Sequence, residues 1–291
     1  MSTGLIFAPH EPITLTTMFI IDTSDIFDRE AYVDDVMDCV FSPDDVDKLP
    51  QTAAMVTNAE SATINAHEIA IITGTEAART GLFAKMIAAT MLSGGSYPFA
   101  EGMKTHLSDA KVLWIDAVTS VHDIAQLARD MKQHFNADGN HFKIVALTAL
   151  GADQLLYKTV RDLIYKTIDS FLPNLIIIND LDNIFPTMTW TAASGFVEFL
   201  RDYVNNKEAA VCAVGHNLIG KVKKTTGYLG EIMFPIASTV YRVSERSKKE
   251  SAITRVSCYK TFRQCPRDFA FTINDLNFPQ QVLPEPDTLN C

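Results

Sequence analysis

Four short stretches of this 291-residue chain hold residues whose types and spacing can do chemistry, and each ends a short apolar run. The first is TGTEAART, residues 73–80. Such a loop between a strand and a helix aims backbone N–H groups at a phosphate, with Gly74, Thr75, Ala78, Arg79 and Thr80 the candidate contacts. Thr80 would also offer a hydroxyl to magnesium. Glu76 sits in the same loop, where a carboxylate repels an anion unless it turns outward; its plainer role is to favour a helix N-terminus. The second stretch, KVLWID, ends in Asp116. The third, LIIIND, ends in Asn179 and Asp180, with Asp182 just beyond. The fourth, AVCAVGH, ends in His216 and leads to GKVKKTTGYLG, which holds Lys221, Lys223 and Lys224. Asp116, Asp180, Asp182 and His216 are expected to meet at the strand ends, where carboxylates can hold magnesium. Clustered ammonium groups neutralise nucleic-acid phosphates. The plainer alternative is that these residues cap helices and that the lysines lie on a solvated loop. His216 reads as a polar or sensor-like group rather than a metal ligand, because no HExxH or Cys/His ligand spacing accompanies it.

The elements that must position these groups follow a regular rhythm from residue 66. A strand at Glu68–Thr73 is followed by a helix with Leu82, Phe83, Met86, Ile87 and Met91 at helical spacing. A strand at Lys111–Asp116 precedes a helix from about Ser120 to Phe135, with Ser120 as N-cap and Val121, Ile124, Leu127, Ala128 and Met131 on its apolar face. Further strands are expected at Phe142–Leu147, Leu175–Ile178 and Ala209–Val214. Helices are expected at Asp153–Phe171, with Leu156, Val160, Leu163, Ile164 and Ile168 inward, and at Thr191–Asn206. After Gly230 the pattern turns to strands with no helix between them: Thr239–Glu245, Ala252–Thr261 and Phe269–Ile273. This alternation predicts an α/β fold, a doubly wound and mostly parallel sheet flanked by helices, with a C-terminal antiparallel extension. The fully apolar strands ending at Thr73 and Ile178 are expected at the centre, side by side. Ligands of such sheets bind at the carboxyl ends of the strands. Residues 1–65 read as an acidic N-terminal segment, 66–275 as the core and 276–291 as a tail.

The formal net charge of −10 is local. Residues 1–60 hold twelve Asp/Glu against two Lys/Arg, and the rest of the chain is balanced. An arm of that kind is either a solvated helix and loop or a surface that docks a protein partner or masks a basic one. Residues 221–267 show the opposite bias, with eleven Lys/Arg and three Glu. Some of these read as strand-edge charges and a turn at Ser244–Ser251, while the lysine trio suits DNA. Five cysteines, widely spread and without CxxC spacing, predict reduced thiols. No apolar run is long enough to span a bilayer, and the first residues lack a basic n-region, so a cytoplasmic protein without membrane contact is expected.

Taken with the element order, these stretches resemble the RecA-like P-loop ATPases, in particular the branch of RepA-type and DnaB-type helicases, over residues 66–275. KVLWIDAVTS is similar to that family's second strand, LIIINDLDNI to its Walker B strand, and VCAVGHN to the strand carrying a polar sensor residue. The resemblance implies ATP and magnesium as cofactors, with Thr80 and Asp180 at the metal, and frequent homo-oligomers. It also exposes departures. In the Walker A register, Thr73 and Ala78 take the two glycine positions and Arg79 takes the lysine; only Thr80 is retained. Val118 stands where the family has its catalytic glutamate, and neutral Asn179 where it has the magnesium aspartate. Such groups each contribute on the order of 10²-fold to a rate. The chain therefore reads as a degenerate member with little ATP hydrolysis, a DNA-associated accessory protein of mobilisation, replication or partitioning, possessed of a mobile-element character. Two alternatives are an unorthodox active ATPase using Arg79, Thr80 and Asp180, and a protein–protein interaction module docking through the acidic arm.

Overall fold

The computed structural model describes residues 53–59, 61–74, 79–135, 137–151, 156–185, 188–216, 227–245, 253–263 and 265–282. The chain divides into a unit at Met1–Gln51, which lies outside the described residues together with most of the acidic arm, and a unit at Thr52–Cys291. The second unit begins earlier than the sequence pattern suggests. Strands β1 (Ala54–Asn58) and β2 (Ser61–Asn65) form an antiparallel pair inside it. Met55, Val56 and Ile64 are fully buried there, so residues 54–65 belong to the core and not to an appendage.

The remaining elements are β3 (Glu68–Gly74), α1 (Thr80–Leu92), β4 (Met103–Thr105), β5 (Val112–Asp116), α2 (Val121–Phe135), β6 (Phe142–Ala146), α3 (Tyr157–Phe171), β7 (Leu175–Asn179), α4 (Trp190–Asn206), β8 (Ala210–His216), α5 (Gly227–Ile236), β9 (Thr239–Glu245), β10 (Thr254–Thr261), β11 (Phe269–Ile273) and β12 (Pro279–Val282). A nine-stranded sheet runs β12-β11-β10-β9-β3-β8-β7-β5-β6, and β2-β1-β4 forms a small second sheet. From β9 to β6 the strands are parallel; β10, β11 and β12 add on antiparallel. Both the doubly wound class and the antiparallel extension are as the sequence predicts.

Alternation within each strand sorts the core into two layers. Ala70, Ile72, Trp114, Ile177 and Cys212 face α1, α2 and the β1–β2 hairpin. Ile71, Ile115, Ile176, Ile178 and Val211 face α3, α4 and α5. Strands clad by apolar residues on both sides are what a buried parallel sheet requires. Four expectations need correction. First, β3 is central, but its neighbours are β8 and β9, so β8 separates it from β7. Isoleucine-rich strands report double-sided burial, not which strand lies beside which. Second, α5 lies where a loop was expected. Gly227, Gly230 and Pro235 lower its helix propensity, and burial of Leu229 and Met233 offsets that cost. Third, β12 in the supposed tail pairs with β11. Fourth, Val121, Leu156 and Leu163 are exposed rather than inward. The buried stripe of α3 is Val160, Ile164 and Ile168, at strict four-residue spacing. Ser120 does cap α2: its hydroxyl accepts from the Asp123 N–H at 3.1 Å.

At the amino end of β3, Glu68 is fully buried. Its carboxylate accepts from the Asn65 N–H at 2.6 Å and from the Arg263 guanidinium at 2.9 Å. Burial outweighs both partners and holds the carboxyl up at about 7. Because the folded value lies above the unfolded one, the folded state keeps a proton that the unfolded state has lost between pH 4.5 and 7. Stability therefore falls as pH rises through that window, by about 3 kcal/mol from this group. Asp182, pushed up to about 6, acts in the same direction. Urea unfolding at pH 5 and pH 7.5 should show the decline, and Glu68→Gln should flatten it. An unchanged pH dependence in the variant would remove Glu68 as its source.

Candidate functional site

The carboxyl ends of β5, β7 and β8 open onto a cavity of about 400 Å³ between α1 and α2. Arg79, Thr80, Asp116, Asn179, Asp180 and His216 line it, six of the seven described candidates; Gly74 is not among its lining residues. Gly74 ends β3. Thr75, Glu76 and Ala78 lie outside the described residues, as do Lys221, Lys223 and Lys224.

Arg79 immediately precedes α1 with φ 22°, a left-handed backbone that costs a non-glycine residue energy. Thr80 is buried in the first turn. The first turn of α1, through Thr80 and Gly81, thus lines the cavity beside the strand ends, with Arg79 next to it. Gly81 follows, and its lack of a side chain matters: a Cβ there would lie 3.2 Å from the Asn179 Oδ1. That contact lets β7 end directly against α1.

Asp116 is the most heavily engaged group of the site. It is fully buried, and its two oxygens accept five hydrogen bonds from its own chain. Oδ1 takes the N–H groups of Val118 at 3.0 Å and Thr119 at 2.7 Å. Oδ2 takes Trp114 Nε1 and Thr119 Oγ1 at 2.9 Å each, and Asn179 Nδ2 at 2.7 Å. β5 and β7 are in register at Asp116 and Asn179, which places both side chains on one face. Every lone pair of the carboxylate is spoken for, and Val118, which follows it, is half exposed and offers no base.

Asp180 is engaged within its own turn. It leaves β7 with φ 73°, and its carboxylate is tied to its own turn, accepting from the Asp182 N–H at 3.0 Å and from Asn183 Nδ2 at 2.8 Å. Among the described residues no three His, Cys, Asp or Glu side chains are grouped to hold a metal ion. Among the described residues there is thus no cluster of carboxylates that could hold magnesium by itself, whereas the helix N-terminus with Arg79 fits an anion such as a nucleotide phosphate.

Beyond Asp180 stand two unsatisfied groups. Asp182 Oδ1 and His216 Nδ1 are buried without a hydrogen-bond partner among the described residues. Burial first, then the charge of Asp180, pushes the Asp182 carboxyl up to about 6, while His216 pulls it the other way.

One wall of the cavity went unnoticed in the sequence. Lys85, on an otherwise apolar stretch of α1, is buried and bonds Asp130 at 3.1 Å and the Asn277 carbonyl at 3.0 Å, with its ammonium 4.0 Å over the Phe278 ring. Gln126 donates to Asp130 at 2.6 Å. Burial lowers the Lys85 pKa, and the Asp130 carboxylate opposes that shift. A lysine flanked by Ala84 and Met86 was the available signal: a cation that deep needs a partner.

The basic stretch is partly absorbed by the fold. Lys260 donates to the Phe234 and Pro235 carbonyls and so caps α5, Arg263 neutralises Glu68, and Arg255 lies 3.8 Å from Asp268. No helix among the described residues is long and apolar enough to cross a membrane.

Comparison of the sequence with protein-family models and with curated proteins finds no match. Among solved structures the fold is similar to two archaeal proteins. The KaiC-like protein PH0186 from Pyrococcus horikoshii OT3 superposes with a TM-score of 0.52 at 12% identity, over 76% of this chain and 92% of that one. The flagellar accessory protein FlaH from Methanocaldococcus jannaschii gives 0.53 at 10% identity, over 77% and 92%. Element order, sheet topology and these neighbours together establish a RecA-like α/β fold.

Proposed function

We propose that this chain is a RecA-fold nucleotide-binding protein that hydrolyses ATP little or not at all and serves as an accessory factor at DNA, in mobilisation, replication or partitioning. The observation that carries the first half is the saturation of Asp116 by five internal donors, with Val118 and Asn179 beside it. The strand end that would orient water and hold a cation is used instead to join β5, β7 and the turn after β5. The N-terminus of α1 and Arg79 remain as the phosphate-facing groups. Asp180, held in its own turn, gives the active-ATPase alternative little to work with.

The DNA half is supported by sequence charge and by one exposed aromatic pair. Trp190, 50% exposed, and Tyr228, 47% exposed, meet edge-to-face at 5.7 Å where α4 and α5 begin. Lys224 stands four residues before Tyr228 in the sequence. Ammonium groups beside exposed rings suit a phosphate backbone with unstacked bases.

Two titrations test this reading. A fluorescent ATP analogue should bind saturably, while turnover stays at least ~10²-fold below an ordinary ~10 s⁻¹. Turnover of several per second that disappears in Asp180→Ala would overturn the proposal in favour of the active ATPase. With DNA, replacing Lys221, Lys223 and Lys224 by alanine should flatten the slope of log affinity against log salt by roughly 2–3. Removing residues 1–51 should tighten binding. The cut must stop there, because a deletion through residue 60 would take β1 out of the core. No binding at low salt without the arm would leave a protein partner as the arm's target.

A further inference from the structure

Outside the cavity, the antiparallel extension turns part of one face to solvent. Alternation along β9 sends Tyr241 and Val243 into the layer that holds α1 and α2, and Val240 into the layer that holds α5. Arg242 therefore lies on the α5 side, where it is exposed. β10 continues that side. Arg242 is opposite Ser257 and Ser244 is opposite Arg255, so the two arginines are diagonal neighbours on one face. Arg255 keeps half of its side chain in solvent although Asp268 lies 3.8 Å away.

The same side carries two rings. The β9–β10 register shifts between Cys258 and Lys260, and Tyr259 sits at that irregularity. Tyr259 is 54% exposed and leans towards Phe234 of α5, with centroids 6.4 Å apart. Phe262 is 75% exposed, and the Lys260 ammonium lies 4.9 Å from its centroid. Lys260 is itself fixed on the last carbonyls of α5, so this cation–π contact orients the exposed ring. One exposed ring would need no explanation. Two rings beside two exposed guanidinium groups make a surface that is both aromatic and cationic.

We propose that this face of β9 and β10 binds single-stranded DNA, with Tyr259 and Phe262 stacking on unpaired bases and Arg242 and Arg255 meeting the phosphates. This rests on the DNA reading above, and it names the form of the DNA and a second contact surface. Phosphates of either form attract guanidinium groups, so the rings set the preference: an unpaired base has a free π-face, and a base inside a duplex does not. The Trp190–Tyr228 pair lies at the first turn of α5 and Phe234 in its last, about 15 Å of helix apart. One extended strand can therefore touch both aromatic sites.

Full-length protein titrated with a labelled oligothymidylate, and with a duplex of the same length, tests this. Tyr259→Ala and Phe262→Ala should each weaken single-strand binding by about 5- to 150-fold, leaving the salt slope and duplex binding unchanged. Arg242→Ala combined with Arg255→Ala should lower the salt slope by about 1.4. Both rings are exposed, so urea midpoints of these variants should match wild type. With 5-iodouracil in the strand, irradiation should join it to Tyr259 or Phe262. Ring variants that bind as the unaltered chain does, while replacement of Lys221, Lys223 and Lys224 weakens binding, would overturn this face, leave it to a protein partner and keep the DNA reading. Cross-links on Trp190 or Tyr228 alone would do the same. Absence of binding by the full chain and by the chain without residues 1–51 would overturn both.

Discussion

Asp116→Ala lowers the unfolding free energy by roughly 3–5 kcal/mol, an effect far larger than removal of a solvent-facing catalytic carboxylate would have. The magnitude follows from what the substitution leaves behind. Trp114 Nε1, Asn179 Nδ2, Thr119 Oγ1 and two backbone N–H groups all point at one fully buried carboxylate. Each buried donor left without a partner costs about 1–3 kcal/mol, and some of the loss is recovered as water enters from the cavity. Denaturant unfolding with the slope checked against wild type measures it. A loss below about 1 kcal/mol would mean that Asp116 is not structurally committed and is free for chemistry.

The second large effect comes from placing a carboxylate at position 179, where the resemblance to RecA-like proteins implies one. Asn179→Asp places an oxygen where Asn179 Nδ2 now donates to Asp116 at 2.7 Å. Two carboxylates that close share one proton, so the pair keeps a proton to higher pH in the folded state than in the unfolded one. The variant is therefore near wild type in acid and loses stability as pH rises through and above the carboxylate range. Two unit charges about 4 Å apart at an effective dielectric of about 20 repel by about 4 kcal/mol, which sets the scale of the loss at neutral pH. Thermal unfolding of variant and wild type at pH 4 and pH 7.5 gives the comparison. Equal melting temperatures at pH 7.5 would contradict the geometry. Millimolar magnesium should not rescue the variant, because Asp180 stays bound to its own turn; a magnesium-dependent recovery would reveal a dormant metal site and weaken the case against hydrolysis.

Much of this was legible in the residues. Apolar runs of β-branched residues alternating with helical spacing determined a mostly parallel, doubly wound sheet. The same logic placed Asp116, Asn179, Asp180 and His216 at its carboxyl edge, because residues that end buried strands all emerge on one side. At the positions where the resemblance implies a base and a metal carboxylate, the residues are Val118 and Asn179. Tertiary structure decided the rest. Periodicity reports burial but not neighbours, so it could not tell that β8 separates β3 from β7, or that residues 54–65 and 279–282 join the sheets. Helix α5 forms through the burial of Leu229 and Met233 despite two glycines and a proline, a contribution no local pattern shows. Lys85 and Asp130 are 45 residues apart, Glu68 and Arg263 are 195 apart, and Asp116 finds Asn179 across 63. Whether a charged residue is spent on holding the fold or kept for chemistry depends on such distant partners, and only the folded chain brings them within hydrogen-bonding reach.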